Sequence, residues 1–362
     1  VYSYYLLMEK FIHAFNLVDG INFNVLRKIF NYIGSWQYAW EKCDLGDFLN
    51  AGLSEEIAQR ICKTRPVIDA NAEMERLWSK NIYCFSDYAD EYPPLLKEIP
   101  GSPYLLYRKG APLCPMCTHI AVVGTRLPSQ YGEKCAYEIA QSITKNGGVV
   151  VSGLAFGIDA IAHQASVNYG SPTVAVLASG LDTITPASNT GLAARILETG
   201  GTIISEYARG KPSFKNRFLE RNRIISGISS ATIVIEANRK SGALITAKHA
   251  LDQNRDVYAL SADITRPQAQ GCLRLIEDGK AYPITSTNGL MLDLGFKPEH
   301  EVLGSLGETE RIILKMLRQK PMAADDICAE MNLSPQETFA KLTLLEMKKL
   351  VRKNVFLEWE AL

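Results

Sequence analysis

The chain has 362 residues, length enough for two or three domains, and 47% hydrophobic content supplies a core for at least one large one. Lys+Arg and Asp+Glu both number 39, so the chain is neutral overall, and a nucleic-acid binder would have to concentrate its positive charge locally. The apolar opening Tyr2–Met8 is short and runs into Glu9-Lys10, and no run approaches the ~18 apolar residues of a membrane span. With eight scattered cysteines, the expectation is a cytoplasmic protein without signal peptide or transmembrane helix.

Residues 1 to about 65 read as short helices: Phe11–Leu17, Phe23–Ile33, a third from Trp36, and Ser54–Cys62, where Ser54-Glu55-Glu56 makes a good N-terminus. The turn Asp19-Gly20-Ile21 is similar to that of a helix-hairpin-helix, which grips DNA phosphates through backbone amides, but it lacks the usual second glycine. A small helical packing unit is the other reading. From 66 to 118 prolines and aromatics dominate, as in Tyr92-Pro93-Pro94 and Pro103-Tyr104, which suggests a strand-and-loop extension of the next domain. Cys114-Pro115-Met116-Cys117 has the spacing of half a zinc site, yet Cys43, Cys62, Cys84, Cys135, Cys272 and Cys328 offer no second pair, so no metal is expected.

Between about 119 and 297, apolar runs at Ile120–Val123, Val149–Val151, Thr173–Leu177, Thr202–Ile204, Thr232–Ile235 and Val257–Leu260 alternate with helical segments. Short buried strands alternating with helices imply an α/β fold with a doubly wound, mostly parallel sheet, whose ligands bind at the C-terminal ends of the strands. Polar clusters follow these runs: Gly124-Thr125-Arg126, Ser152-Gly153, Ser179-Gly180-Leu181-Asp182, Ser205-Glu206-Tyr207, and Glu236 leading into Ser241-Gly242. The stretch Ser152–Gly157 opens a helix and makes a natural anion site. Within residues 207 to 224, Arg209, Lys211, Lys215, Arg217, Arg221 and Arg223 face Glu220 alone, a net charge of +5 in a neutral chain.

No G-x-G-x-x-G or G-x-x-x-x-G-K-[ST] sequence occurs, which argues against a nucleotide cofactor, and none is expected. Asp159 and His163 stand four apart on one helix face; a structural or capping role is preferred to acid–base chemistry, since no nucleophile accompanies them.

Val122-Val123-Gly124-Thr125-Arg126, Ser152 to Asp159 with Ala162-His163, Gly180-Leu181-Asp182, Ser205-Glu206-Tyr207, Arg221-Asn222-Arg223-Ile224-Ile225-Ser226-Gly227, Glu236-Ala237 with Ser241-Gly242 and Ile245-Thr246-Ala247, and Gly271-Cys272 with Leu275-Ile276 together resemble, in order, the motif series of the DNA-processing protein A family (DprA/Smf). The resemblance covers the whole middle domain. It implies an extended Rossmann-like domain that binds single-stranded DNA in a basic pocket and dimerises, with Gly271–Gly279 a candidate for the dimer surface. It also implies a non-enzymatic role: protecting incoming single strands in natural transformation and helping to load the RecA recombinase. Carried over by position, Arg126 looks like a phosphate ligand, Ser152 and Gly153 like backbone contacts, and Lys215, Phe218, Arg221, Asn222 and Arg223 like the pocket border, with Ser241-Gly242 the second glycine turn. Arg217, Arg221 and Arg223 cannot all point one way on a helix, so one or two should be structural or solvent-facing. Ala178, Thr185-Pro186 and Ser261-Ala262 depart from the family pattern at the pocket wall and at one loop.

The resulting organisation is a small helical domain at 1–65 (SAM or helix-hairpin-helix-like), an extended Rossmann-like domain at 66–297, a linker at 298–306 and a winged-helix-like domain at 307–362. In the last, Glu308–Leu317, Ala323–Met331 and Ser334–Leu350 read as helices and Val351–Phe356 as a strand. Residues 308 to 362 carry nine Lys/Arg and nine Asp/Glu, so a protein-contact role there is as well supported as DNA binding. The alternative function is a Rossmann-type nucleoside monophosphate N-glycosidic hydrolase, for which Glu236 would supply the acid.

Overall fold

The computed structural model describes residues 2–296, 306–348, 350–354 and 357–361, with side chains from Met8 onward. Two compact units divide at 287/288.

The first unit is built on a nine-stranded sheet of β1 (Tyr83–Ser86), β2 (Leu105–Gly110), β3 (His119–Val123), β4 (Val149–Ser152), β5 (Thr173–Val176), β6 (Thr202–Ser205), β7 (Ala231–Val234), β8 (Asp256–Leu260) and β9 (Tyr282–Ile284). Their spatial order is β1-β2-β6-β5-β4-β3-β7-β8-β9. From β6 to β9 every pairing is parallel, and β1 and β2 add an antiparallel edge. The β-branched runs suit strands covered on both faces: Val150 and Val151 of β4 are fully buried, as are Ile120, Ala121 and Val122 of β3. Because β3 lies between β4 and β7, the chain winds outward from it in both directions, which opens a crevice at the C-terminal ends of these strands.

The helical N-terminal region is larger than expected and is not a separate domain. Helices Tyr2–Leu17, Phe23–Ile33, Trp36–Glu41, Leu45–Asn50 and Glu55–Thr64 are joined by Ala70–Trp78, beyond the expected boundary at 65. Pro66 opens only a short 3-10 turn, and Asp69 then caps the next helix by accepting from the backbone of Asn71 and Ala72. Met74 and Leu77 join Phe11, Phe15, Trp36, Phe48 and Ile61 in one apolar core, which continues into Leu105, Tyr107, Ala175 and Ile203 of the sheet. That continuity removes the physical basis for a domain limited to 1–65.

The second unit carries helices Glu308–Leu317, Ala324–Met331 and Pro335–Met347 and a hairpin of β10 (Val351–Lys353) with β11 (Trp359–Ala361). Ser334 caps the third helix and Pro335 opens it, as the sequence suggests. Ile313, Ile327, Leu342, Leu345 and Trp359 form its core. The expected linker 298–306 lies outside the described residues except for Leu306, as do Val355 and Phe356 of the expected final strand. No helix among the described residues is long and apolar enough to cross a membrane.

Candidate nucleic-acid interface

The glycine turn after β4 is filled by the protein itself. The Asp159 carboxylate, in the first turn of the Ile158–Asn168 helix, accepts from the backbone N–H of Gly153 (3.1 Å) and of Ala155 (3.4 Å). Arg221 seals the arrangement: it is 3% exposed and donates to the carbonyls of Gly153 (2.9 Å) and Val176. A Cβ on Gly153 would overlap the Arg221 guanidinium, so the glycine is what lets Arg221 take this position. Gly157, at a φ of 73°, crosses the Gly124-Thr125-Arg126 loop so closely that a Cβ would come within 2.5 Å of the Thr125 carbonyl. Burial raises the Asp159 carboxyl pKa while Arg221 works against that rise. Desolvation likewise lowers Arg221 to about 10, with Asp159 opposing. Burial first, and Arg221 second, push His163 down to about 3, and its Nδ1 lies 2.9 Å from the Thr173 hydroxyl. Asp159 and His163 thus serve different partners, in keeping with the structural role preferred for them.

Several expected DNA contacts are therefore turned inward. Ser152 is fully buried and donates its hydroxyl to the Val122 carbonyl (2.7 Å), and both backbone polar groups of Gly153 are taken, so neither offers the expected backbone contact. Arg221 commits Nη1 to the two carbonyls and Nε to Asn222 (3.2 Å), so most of its guanidinium is spent inside the protein. Asn222, 8% exposed, donates to the Gly242 carbonyl (3.3 Å), which ties the second glycine turn to the Lys215–Ile228 helix. Ser241, half-buried, accepts from the Ala243 N–H (3.3 Å) within its own turn. Arg223 pairs with Glu206 on the side of the helix that faces the N-terminal helices.

Arg126, Phe218 and Lys215 stay at the rim. The Arg126 guanidinium lies 5.3 Å from the Phe218 ring centroid, and that of Arg221 lies 6.0 Å from the same centroid. Arg126 and Lys215 are exposed and have no hydrogen-bond or ion-pair partner among the described residues. Lys215 begins a helix whose N-cap, Phe214, supplies no side-chain bond and whose first turn holds no acid, so its end amides and lysine present positive charge outward. Phe156, 50% exposed on the glycine turn, is a further aromatic that the motif reading passed over.

Glu236 fixes another helix end. Its oxygens accept from the Ser129 N–H (2.9 Å) and hydroxyl (2.6 Å) at the start of the Gln130–Lys145 helix, which occupies the acid the hydrolase alternative needs. Cys114 and Cys117 are disulfide-bonded, and no metal-binding cluster occurs among the described residues. Asn189, which the motif series did not single out, donates to the carbonyls of Leu154 and Ala155 and holds the outer side of the glycine turn.

Residues 83–295 match the family described as DNA recombination-mediator protein A, and 297–354 match the DprA winged helix domain. Protein Smf of Synechocystis is 36% identical over 289 residues, covering 79% of this chain and 72% of the relative. A solved structure of DNA processing protein A from Streptococcus pneumoniae has 32% identity and a TM-score of 0.67, covering 80% of this chain and 99% of that one. One from Helicobacter pylori, described as having a unique single-stranded DNA binding mode, has 27% identity and a TM-score of 0.52, covering 59% and 95% respectively. The chain belongs to the DNA recombination-mediator protein A (DprA/Smf) family.

Proposed function

We propose that the crevice at the ends of β3 and β4 binds single-stranded DNA, with Arg126 and Lys215 on phosphates and Phe218 as a base platform. The observation that carries this reading is the contact of exposed Arg126 with half-buried Phe218 beside the uncapped, lysine-bearing helix start. Single-strand sites combine such cations for the backbone with an aromatic face for the bases, and every base has one. Arg221, Asn222, Ser152 and Gly153 then form the wall behind the strand. In this reading the protein catalyses no reaction. It acts in the cytoplasm as a homodimer joined through the sheet-bearing unit, protects incoming strands, and helps load RecA during natural transformation.

The test is fluorescence polarisation of labelled oligo-dT across a salt series, with the Arg126→Ala/Lys215→Ala double variant alongside. The expected result is binding that falls with a log–log salt slope of roughly −0.7 per phosphate contacted, shallower in the variant. Equal affinity and slope for both proteins, at unchanged thermal stability, would overturn the assignment. Release of free base from nucleoside monophosphates would instead support the hydrolase.

A further inference from the structure

The Lys215–Ile228 helix has a second functional face. Lys215, Phe218 and Asn222 follow one row, while Arg217, Glu220 and Arg223 follow the i, i+3, i+6 row beside it. The second row lines a cleft of about 140 Å³ shared with the N-terminal helices, whose other walls include Tyr104, Tyr207, Lys211, Phe23 and Asn24. Phe23 and Tyr104 stack at 6.0 Å with an interplanar angle of 20°, and Arg223 lies 5.7 Å from the Phe23 centroid. Arg217 lies 4.7 Å from the ring of Tyr207. Two cleft residues are incompletely satisfied: Glu206 Oε1 and Arg223 Nη1 are buried without a hydrogen-bond partner, although the two side chains pair through their other atoms. Unpaired buried polar atoms are rare in a folded protein and mark places where a water or a ligand atom can complete the bonding. An acceptor beside a donor suits the Watson–Crick edge of any base, each of which sets a donor next to an acceptor.

The cleft also faces a helix start. Asn22 caps the 11-residue Phe23–Ile33 helix through Val25, and the N–H groups of Phe23 and Asn24 have no partner among the described residues. Lys211 and Arg223 are paired with Asp19 and Glu206, which leaves Arg217 as the cleft's cation outside an ion pair among the described residues; with the backbone donors, the stacked aromatics and the unmet donor–acceptor pair it matches one ligand class, a nucleotide.

We propose that this cleft is a second nucleotide subsite, which receives a nucleotide of the same single strand after it has crossed the Arg126–Phe218 rim. The proposal rests on the single-strand reading above and extends the strand's path from the sheet crevice to the N-terminal helices. It gives those helices a part in binding that their neutral composition does not announce.

The test compares oligo-dT of about 5 and about 20 nucleotides, lengths that bracket a one-site and a two-site footprint, and adds free dTMP as a third ligand. Asn24→Glu is the main variant. An acid in the first turn of a helix favours folding, so this change keeps the fold while setting a negative charge at the cleft mouth. Arg217→Ala, from the opposite wall, is the second. Both variants are expected to bind the short oligomer as the parent does. Both should weaken the long one roughly tenfold and make its salt slope shallower by about 0.7, one phosphate. Arg126→Ala weakens both lengths if the rim is the primary site, so failure there identifies the underlying reading as wrong. Normal loss with Arg126→Ala but equal long-oligomer binding by Asn24→Glu, Arg217→Ala and parent would overturn the second subsite alone. Cleft variants that lose dTMP but keep the long oligomer would overturn it too, in favour of a free-nucleotide site.

Discussion

Two helix starts at the same end of the sheet have opposite fates. The Ile158–Asn168 helix follows a glycine turn of the kind that binds phosphate, yet its own Asp159 occupies the turn's amides and Arg221 closes it from behind. The Lys215–Ile228 helix follows an ordinary loop, yet its end is uncapped, free of acids and topped by a lysine. A turn that looks like an anion site is thus filled by the protein's own side chains, and the site proposed here lies instead where a cationic helix end is left open. The lesson concerns residue context: a first-turn aspartate beneath a glycine turn is an intramolecular substitute for the phosphate.

The sharpest way to break this comparison is to unseal the wall. Arg221→Ala leaves Asp159 buried without its counter-charge and removes two carbonyl partners, so a loss of roughly 3–5 kcal/mol is expected. Denaturant melts of the variant, read against Arg126→Ala, check it. If Arg221→Ala keeps parental stability and loses only DNA binding, Arg221 is a ligand after all and the two regions are alike.

The next largest effect is on pH dependence. His163 stays neutral in the fold down to about 3, while the unfolded side chain takes a proton near 6.5. Its contribution is therefore fully present above pH 6.5 and is lost as pH falls below that value, by roughly 2 kcal/mol between pH 6.5 and 5. His13 and His119, each lowered to about 4 chiefly by burial, add in the same direction. Glu9 opposes them: burial raises it to about 7, so its contribution is present below pH 4.5 and lost as pH rises through about 7. His163→Gln should flatten the acid limb of a stability–pH curve and Glu9→Gln should steepen it. Parallel curves for parent and His163→Gln would refute the assignment.

Much of this was legible from the residues. The six expected strands lie within a residue or two of those observed, because β-branched runs buried on both faces leave little choice. Arg126 and Phe218 were also readable as neighbours of a strand end and of a basic loop. The inward turn of Arg221, Asn222 and Ser152 was not, since it depends on which side of one helix faces β4 and β5, a matter of tertiary packing. The limit on arginines sharing one direction correctly required some to be structural without saying which. Likewise the shift to prolines and aromatics from about 66 read as the end of the helical region, whereas Asp69 restarts it and Met74 and Leu77 bind it to the same core.

At the rim the expected effects are on affinity alone. Phe218→Ala removes the platform under Arg126 and should cost about 1–3 kcal/mol of oligo-dT binding, with Phe218→Trp retaining it. Because Phe218 is half-buried beside Arg221, thermal melts of both variants accompany the measurement. Equal binding by Phe218→Ala and parent would leave the aromatic as mere packing for the two arginines.

The smallest effect is expected from the winged-helix unit. Its nine cations are matched by nine anions between 308 and 362, and Arg352 pairs with Glu360 and Lys341 with Glu310. Phosphate neutralisation needs cations that are not already committed, and the gain from counterion release is small where each new contact must first break an ion pair. Arg352→Ala and Lys341→Ala should therefore change oligo-dT affinity by less than about twofold, within the range of an exposed pair's contribution. A loss comparable to that of Arg126→Ala would place part of the strand on this unit. The contrast between sealed and open helix starts would then describe only one of two binding surfaces.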